Sequence, residues 1–332
     1  MRNAPENFTP QFYNQDDGDK KLSPFGWEQK FYHMSEGNFR FEKTSLPLCG
    51  TDLFIEDHFL IQGTLRVDGH ILPNRLQLGF FVSGEARLLG TKTEGVINTI
   101  SYDGCSWDTT ASGPARGVTM SVGGDFINQL MPSHISSKLR KRLLHEGSLR
   151  ALMLAPTEAT ETLKEAIDLC LEFARDEKHY AIRKEFLQEQ IQDLLDLGSN
   201  IIDESLDRDI SARSRGEKSR HELAKSLENY LWTQPAGQIN ANDIQYYSDH
   251  FGVSRRQLQM AVEEHFNMCF TTLSRIIRLH RVKNEIRITG AKHKSISSLA
   301  LDYDFRHFGR FSGYYRNIFG LSPIHEKKRT SN

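Results

Sequence analysis

Two clusters of long polar side chains stand near the C-terminal end of this 332-residue chain: Ser254, Arg255, Arg256 and Gln259 in one, Arg306, His307 and Arg310 in the other. Arginine forks onto O6 and N7 of guanine and glutamine onto N6 and N7 of adenine, so a helix carrying such residues outward could read base edges in a major groove. The same arginines could equally grip phosphate or stand in solvent, and His307 could pack locally at a helix start as readily as read a base.

Elsewhere the chemistry is sparser. Arg66 and Arg116 could hold an anionic effector with Trp107 as an apolar wall, although ordinary ion pairing and core packing account for all three equally well. His58 and His70 lie apart, and residues 39 to 122 contain no His-x-His pair. No metal ligand set is therefore legible. Neither a phosphate-cradling loop nor a Gly-x-Ser-x-Gly elbow occurs, so no catalytic residue and no cofactor is expected.

The two polar clusters need elements that hold them out. Around the first, Ser248 is small enough for two helices to approach, Gly252 can take a left-handed turn, and Ser254 can cap the next helix. Val253, Leu258, Val262 and Phe266 give that helix an inner face. Around the second, Ala300, Phe305 and Phe311 repeat the pattern over residues 296 to 311. Leu273, Ile276, Ile277, Leu279 and Val282 predict one amphipathic helix between them. Such paired helix-turn-helix units could enter successive major-groove segments about 34 Å apart.

Charge agrees with this division. Residues from His221 onward carry 16 Lys and Arg against 10 Asp and Glu, whereas the first 220 carry 26 against 33. Clustered cations suit duplex phosphates. Residues 1 to 25 read as a polar tail, ending before short apolar runs at 39–42, 53–55, 59–62, 76–82, 96–100 and 117–122, which predict antiparallel strands. Val67-Asp68-Gly69-His70 and Ser83-Gly84-Glu85 offer hairpin turns between them. From 126 the period becomes helical, with stripes at Leu163, Ala166, Ile167, Cys170, Ala174 and at Leu187, Ile191, Leu194, Leu195. Each stripe packs either on the strands or on a second copy of the chain. Residues 201 to 220 are charged and read as a linker.

Gly252-Val253-Ser254-Arg255-Arg256-x-Leu258, Ile277-Arg278-Leu279, Phe305-x-His307-x-Gly309-Arg310-Phe311 and Phe319-Gly320-Leu321-Ser322-Pro323 together resemble the AraC/XylS transcription regulators over residues 221 to 332. The Phe-x-His-x-Gly-Arg-Phe version is similar to a branch that includes the ethanolamine-operon regulator. The resemblance implies an all-helical DNA-binding domain with two helix-turn-helix units, promoter DNA and RNA polymerase as partners, and a cupin-like β-barrel sensor with helical dimerisation elements over 26 to 200. Three positions depart from the family pattern: Asp304 replaces a turn glycine, and Met260 and Gly313 stand where many members carry arginine.

The resulting expectation is an α+β chain acting as a DNA-binding transcription activator under a small-molecule effector, able to form a homodimer. The polar N-terminus places it in the cytoplasm, with no membrane partner. A metalloenzyme barrel fused to a DNA-binding domain and a regulator without ligand are the alternatives.

Overall fold

A computed structural model describes residues 9–14, 28–36, 39–47, 53–70, 75–88, 91–92, 97–101, 106–123, 153–154, 158–174, 193, 215–237, 243–289 and 294–330. The chain divides into two units, and the division is not a single cut. One unit comprises Met1–Phe31, Phe39–Ile61 and Val67–Ala212; the other takes Tyr32–Asn38 and Gln62–Arg66 together with Arg213–Asn332.

The first unit is built on an antiparallel sheet. Its strands are β1 (Thr9–Asn14), β2 (Glu28–His33), β3 (Phe39–Pro47), β4 (Leu53–Ile61), β5 (Thr64–His70), β6 (Arg75–Leu88), β7 (Thr91–Lys92), β8 (Ile97–Ser101), β9 (Ser106–Gly123) and β10 (Met153–Leu154). The main path runs β1-β3-β4-β9-β6-β8-β10, with β5 joining β2 to β9 and β7 pairing β6. Strand β1 lies within the segment expected to be a tail, because its six residues pair with Arg40–Ser45 of β3. The runs at 53–55 and 59–62 belong to one strand.

Both expected hairpin turns lie inside strands. Gly84, at φ +89°, sits where the β6–β9 register shifts, and a Cβ there would come within 2.3 Å of Pro114 O. The left-handed residue therefore serves a β-bulge, which bends a long strand without ending it. Gly69 has a different reason to be glycine: a Cβ would lie 2.2 Å from the Trp107 ring. Helix α1 (Glu158–Ala174) carries the first apolar stripe, in which Leu163 and Ile167 are fully buried and Ala166 is half-buried. The stripe at Leu187 to Leu195 and the residues Phe126, Ile127, Leu130 and Met131 lie outside the described residues.

The second unit is helical: α2 (Arg215–Thr233), α3 (Ile244–His250), α4 (Arg255–Phe266), α5 (Phe270–Thr289), α6 (Ile296–Asp302), α7 (Phe308–Phe319) and α8 (Pro323–Thr330). Helix α2 starts inside the expected linker. Two cores form, and α5 serves both. Leu273, Ile276 and Ile277 join Leu258, Val262, Phe266 and Tyr247 in the first core. Leu279, Val282 and Ile286 join Leu299, Phe305, Phe311 and Tyr315 in the second.

The short N-terminal excursions complete this unit. Met34 lies in the first core, and Arg66, 1% exposed, forms an ion pair of 2.6 Å with Glu228 of α2 while its guanidinium lies over the Phe266 ring. Removing one partner of such a pair strands a buried charge, which costs about 3–5 kcal/mol.

Candidate nucleic-acid interface

The first turn is assembled as its residue types dictate. Asp243 caps α3 by accepting from Tyr246 N at 3.1 Å. Ser248 is fully buried at the helix crossing, and Gly252 takes φ +64° with open space where a Cβ would stand. Val253 N then donates to Ser248 O at 2.9 Å. Ser254 caps α4, completing a capping box with Gln257 that satisfies orphan donors at the helix start.

The second turn repeats this bonding with other side chains. Ser295 caps α6, Ala300 is fully buried, and Phe305 N donates to Ala300 O at 2.8 Å. Asp304 stands in the left-handed position at φ +56°, in the place Gly252 occupies in the first turn. This conformation is strained for most side chains but open to aspartate. Its carboxylate accepts from Arg306 Nε at 2.9 Å. The second turn is one residue longer, since α4's cap Ser254 follows Gly252 by two positions and α7's cap His307 follows Asp304 by three. His307 makes no side-chain cap bond and is exposed.

Arg278 on α5 secures the longer turn. Only 4% exposed, it donates from Nη1 to Tyr303 O at 3.0 Å and Asp304 O at 3.3 Å and lies over the Phe305 ring. Burial lowers its pKa to about 10, which still leaves it cationic at neutral pH. Arg281, one turn on in sequence, donates to Leu231 O and Gln234 O at the end of α2. Sequence reasoning saw α5 as an apolar spacer; the signal for these two clamps is an arginine set within a buried run.

At 100° per residue, the buried residues of α4 place Arg256 and Met260 at the middle of its outer face. Both are exposed. The other expected readers on this helix are engaged locally. Arg255 donates to Gln245, Ser254 and Gln257 bond each other, and Gln259 donates to Glu263 at 2.6 Å while accepting from Phe270 N at 3.3 Å. Gln259, expected to point freely outward, is half-buried because its amide helps begin α5.

The same phase on α7 brings Gly309 and Gly313 to the middle of the outer face, with Arg310 to one side. A Cβ at either glycine would meet nothing within 4 Å. Arg306 precedes the helix with its side chain 82% exposed, and Arg310 is exposed.

Each of the three effector candidates is engaged where it stands. Arg66 lies in the helical unit's core, Trp107 packs on Gly69, and Arg116 of β9 forms a bidentate ion pair with Asp168 of α1 at 2.5 and 3.2 Å. Among the described residues no group of three or more His, Cys, Asp and Glu could hold a metal ion, and no helix is long and apolar enough to cross a membrane.

Residues 247–329 match the family described as "Helix-turn-helix domain". The chain is also similar to the probable thc operon regulatory protein of Rhodococcus erythropolis, 29% identical over 72 residues. That match spans 22% of this chain and 22% of the relative's length. Similar solved structures include a probable AraC family transcriptional regulator from Rhodopseudomonas palustris, 22% identical with a TM-score of 0.30, covering 33% of this chain and 97% of that one. Another is ToxT from Vibrio cholerae with an unsaturated fatty acid bound, 12% identical with a TM-score of 0.29, covering 91% of this chain and 94% of that one. The paired turns, the shared α5 and the family match converge on one identification: residues 247–329 form a helix-turn-helix domain.

Proposed function

We propose that this chain is a sequence-specific transcription activator whose paired helix-turn-helix units bind promoter DNA in the cytoplasm under the control of a small-molecule effector at the N-terminal unit. The observation that carries the reading is the repeated turn, which leads into α4 and α7 alike and leaves Arg256 on one helix and Arg306 and Arg310 at the other exposed for a polyanion. Arg256 suits a base edge, while Arg306 and Arg310, beside the bare face of α7, suit phosphate. His307, exposed at the start of α7, could meet either. The Phe305-x-His307-x-Gly309-Arg310-Phe311 pattern favours the branch of the ethanolamine-operon regulator.

For the N-terminal unit we read a cupin-like barrel. Two long strands, β6 of 14 residues and β9 of 18, pair with shifts of register, and bulges of this kind bend strands in the way that closing a barrel needs. Arg116 and Trp107 remain the effector candidates on that unit, with Arg116 held by Asp168, while Arg66, also expected to bind the effector, belongs to the helical unit. Contact with RNA polymerase and pairing of two copies belong to the same reading.

Selection of genomic fragments by the full-length protein, followed by affinity measurement across salt, tests it. Recovery of a common site, with affinity falling steeply as salt rises, is expected. Failure to enrich any sequence would overturn the DNA-reading assignment. Metal-dependent turnover by the purified protein would favour an enzyme instead.

A further inference from the structure

The outer face of α4 carries one feature that base reading by arginine does not use. Met260 is 37% exposed at the middle of that face, one turn after Arg256. A methionine in a core would be explained by packing, but here the inward positions are filled by Leu258, Ala261, Val262, His265 and Phe266. An apolar, polarisable side chain facing water earns no hydrophobic stabilisation until something covers it.

The neighbours restrict what that cover can be. Ser254, Arg255, Gln257 and Gln259 are held by bonds within the helical unit, so Arg256 and Met260 are the long side chains of the outer face left to project. Beyond them the face turns acidic: Glu263 accepts from Gln259, and Glu264 accepts from Arg220 at 2.7 Å. Duplex DNA therefore meets the first two turns of α4, where a cation and an apolar tip stand side by side. Among groups on base edges in the major groove, the apolar one in ordinary DNA is the C5 methyl of thymine.

We infer that Met260 is a specificity-determining residue that selects thymine through its 5-methyl group, next to the base met by Arg256. The inference rests on the DNA-reading role proposed above for α4. It assigns the apolar half of a two-residue reading window and makes the preferred site methyl-dependent at one position.

The test uses the full-length protein and its best selected site, with each thymine replaced singly by deoxyuridine, which removes the methyl group and leaves every hydrogen-bonding group. At one position affinity should fall about fourfold, the effect of burying one methyl-sized group. In Met260→Ala that replacement should have no effect, while the thermal midpoint stays near that of the parent because the side chain is solvent-exposed. Met260→Leu should retain the methyl dependence. Indifference of the parent protein to deoxyuridine at every position would overturn the inference, as would the same methyl dependence in Met260→Ala. Either result leaves the DNA-reading role standing, because binding and Arg256 selectivity would persist. Absence of any preferred site would overturn both.

Discussion

The two helix-turn-helix halves share a backbone scheme and differ in what they present. Their turns use the same bonds, Val253 N to Ser248 O and Phe305 N to Ala300 O, and the helices that follow are each 12 residues long. Yet α4 sets Arg256 and Met260 at the middle of its outer face, where α7 sets Gly309 and Gly313. Glycine inside a helix costs roughly 1 kcal/mol relative to alanine, and neither position is crowded. A helix that accepts this cost twice gains a bare face able to approach another molecule closely. Half of the pair is thus built to reach with side chains and half to approach with backbone.

The strongest way to break the comparison is to empty each core. Phe311→Ala in the second half and Leu258→Ala in the first should each lower stability, by about 3–5 and 2–5 kcal/mol respectively. Hydrogen exchange on the full-length protein should show loss of protection centred on the mutated half. Equal loss in both halves from either variant would mean that α5 fuses them into one cooperative block.

Acid tests the shared helix directly. His280 of α5 donates from Nε2 to His33 O at 3.0 Å, and burial lowers its pKa to about 4 from an ordinary 6.5. The unfolded chain takes up this proton more readily, so stability should be complete above about pH 6.5 and decline as pH falls toward 4. His280 alone accounts for about 2 kcal/mol by pH 5. Denaturation of His280→Gln should lose the His280 share of this dependence and keep that of His33, whose pKa burial also lowers, to about 2; an unchanged pH profile would place the sensitivity elsewhere.

Two substitutions on the outer faces sharpen the contrast. Arg256→Ala should cost about 1–3 kcal/mol on the best site and far less on a site already changed at the contacted base. Arg310→Ala should weaken all sequences alike and reduce the salt slope by about 1. A single-base variant library read with both proteins decides this: uniform losses for Arg256→Ala would remove its base-reading role. The smallest effect on folding is expected for Gly313→Ala. It should raise stability by up to about 1 kcal/mol while weakening DNA binding, measured by melting and by titration. Unchanged affinity would show that the bare face is not approached.

Much of the helical unit was legible because its signals are local. Gly252, Asp304, Ser254 and the apolar spacing of α4 and α7 act within a few residues of themselves, so composition and period expose them. The N-terminal sheet was legible in strand positions but not in turns. Gly69 and Gly84 look alike in sequence, yet one makes room for Trp107 and the other forms a bulge against Pro114 and Ala115. Strand β1 escaped detection because Thr9–Asn14 has little apolar period and gains its place by pairing with β3.

The sequence by itself determined the two turns, the helices they join and the cationic end of the chain, since turn preference, capping and charge are properties of short segments. Tertiary structure alone decided which outward residues are left to project. Gln259 is engaged by Phe270 N across 11 positions, and Arg66 is drawn into the helical core by Glu228 across 162. A side chain's availability depends on partners brought close by packing, and no local pattern encodes the energy of a contact made at that distance along the chain.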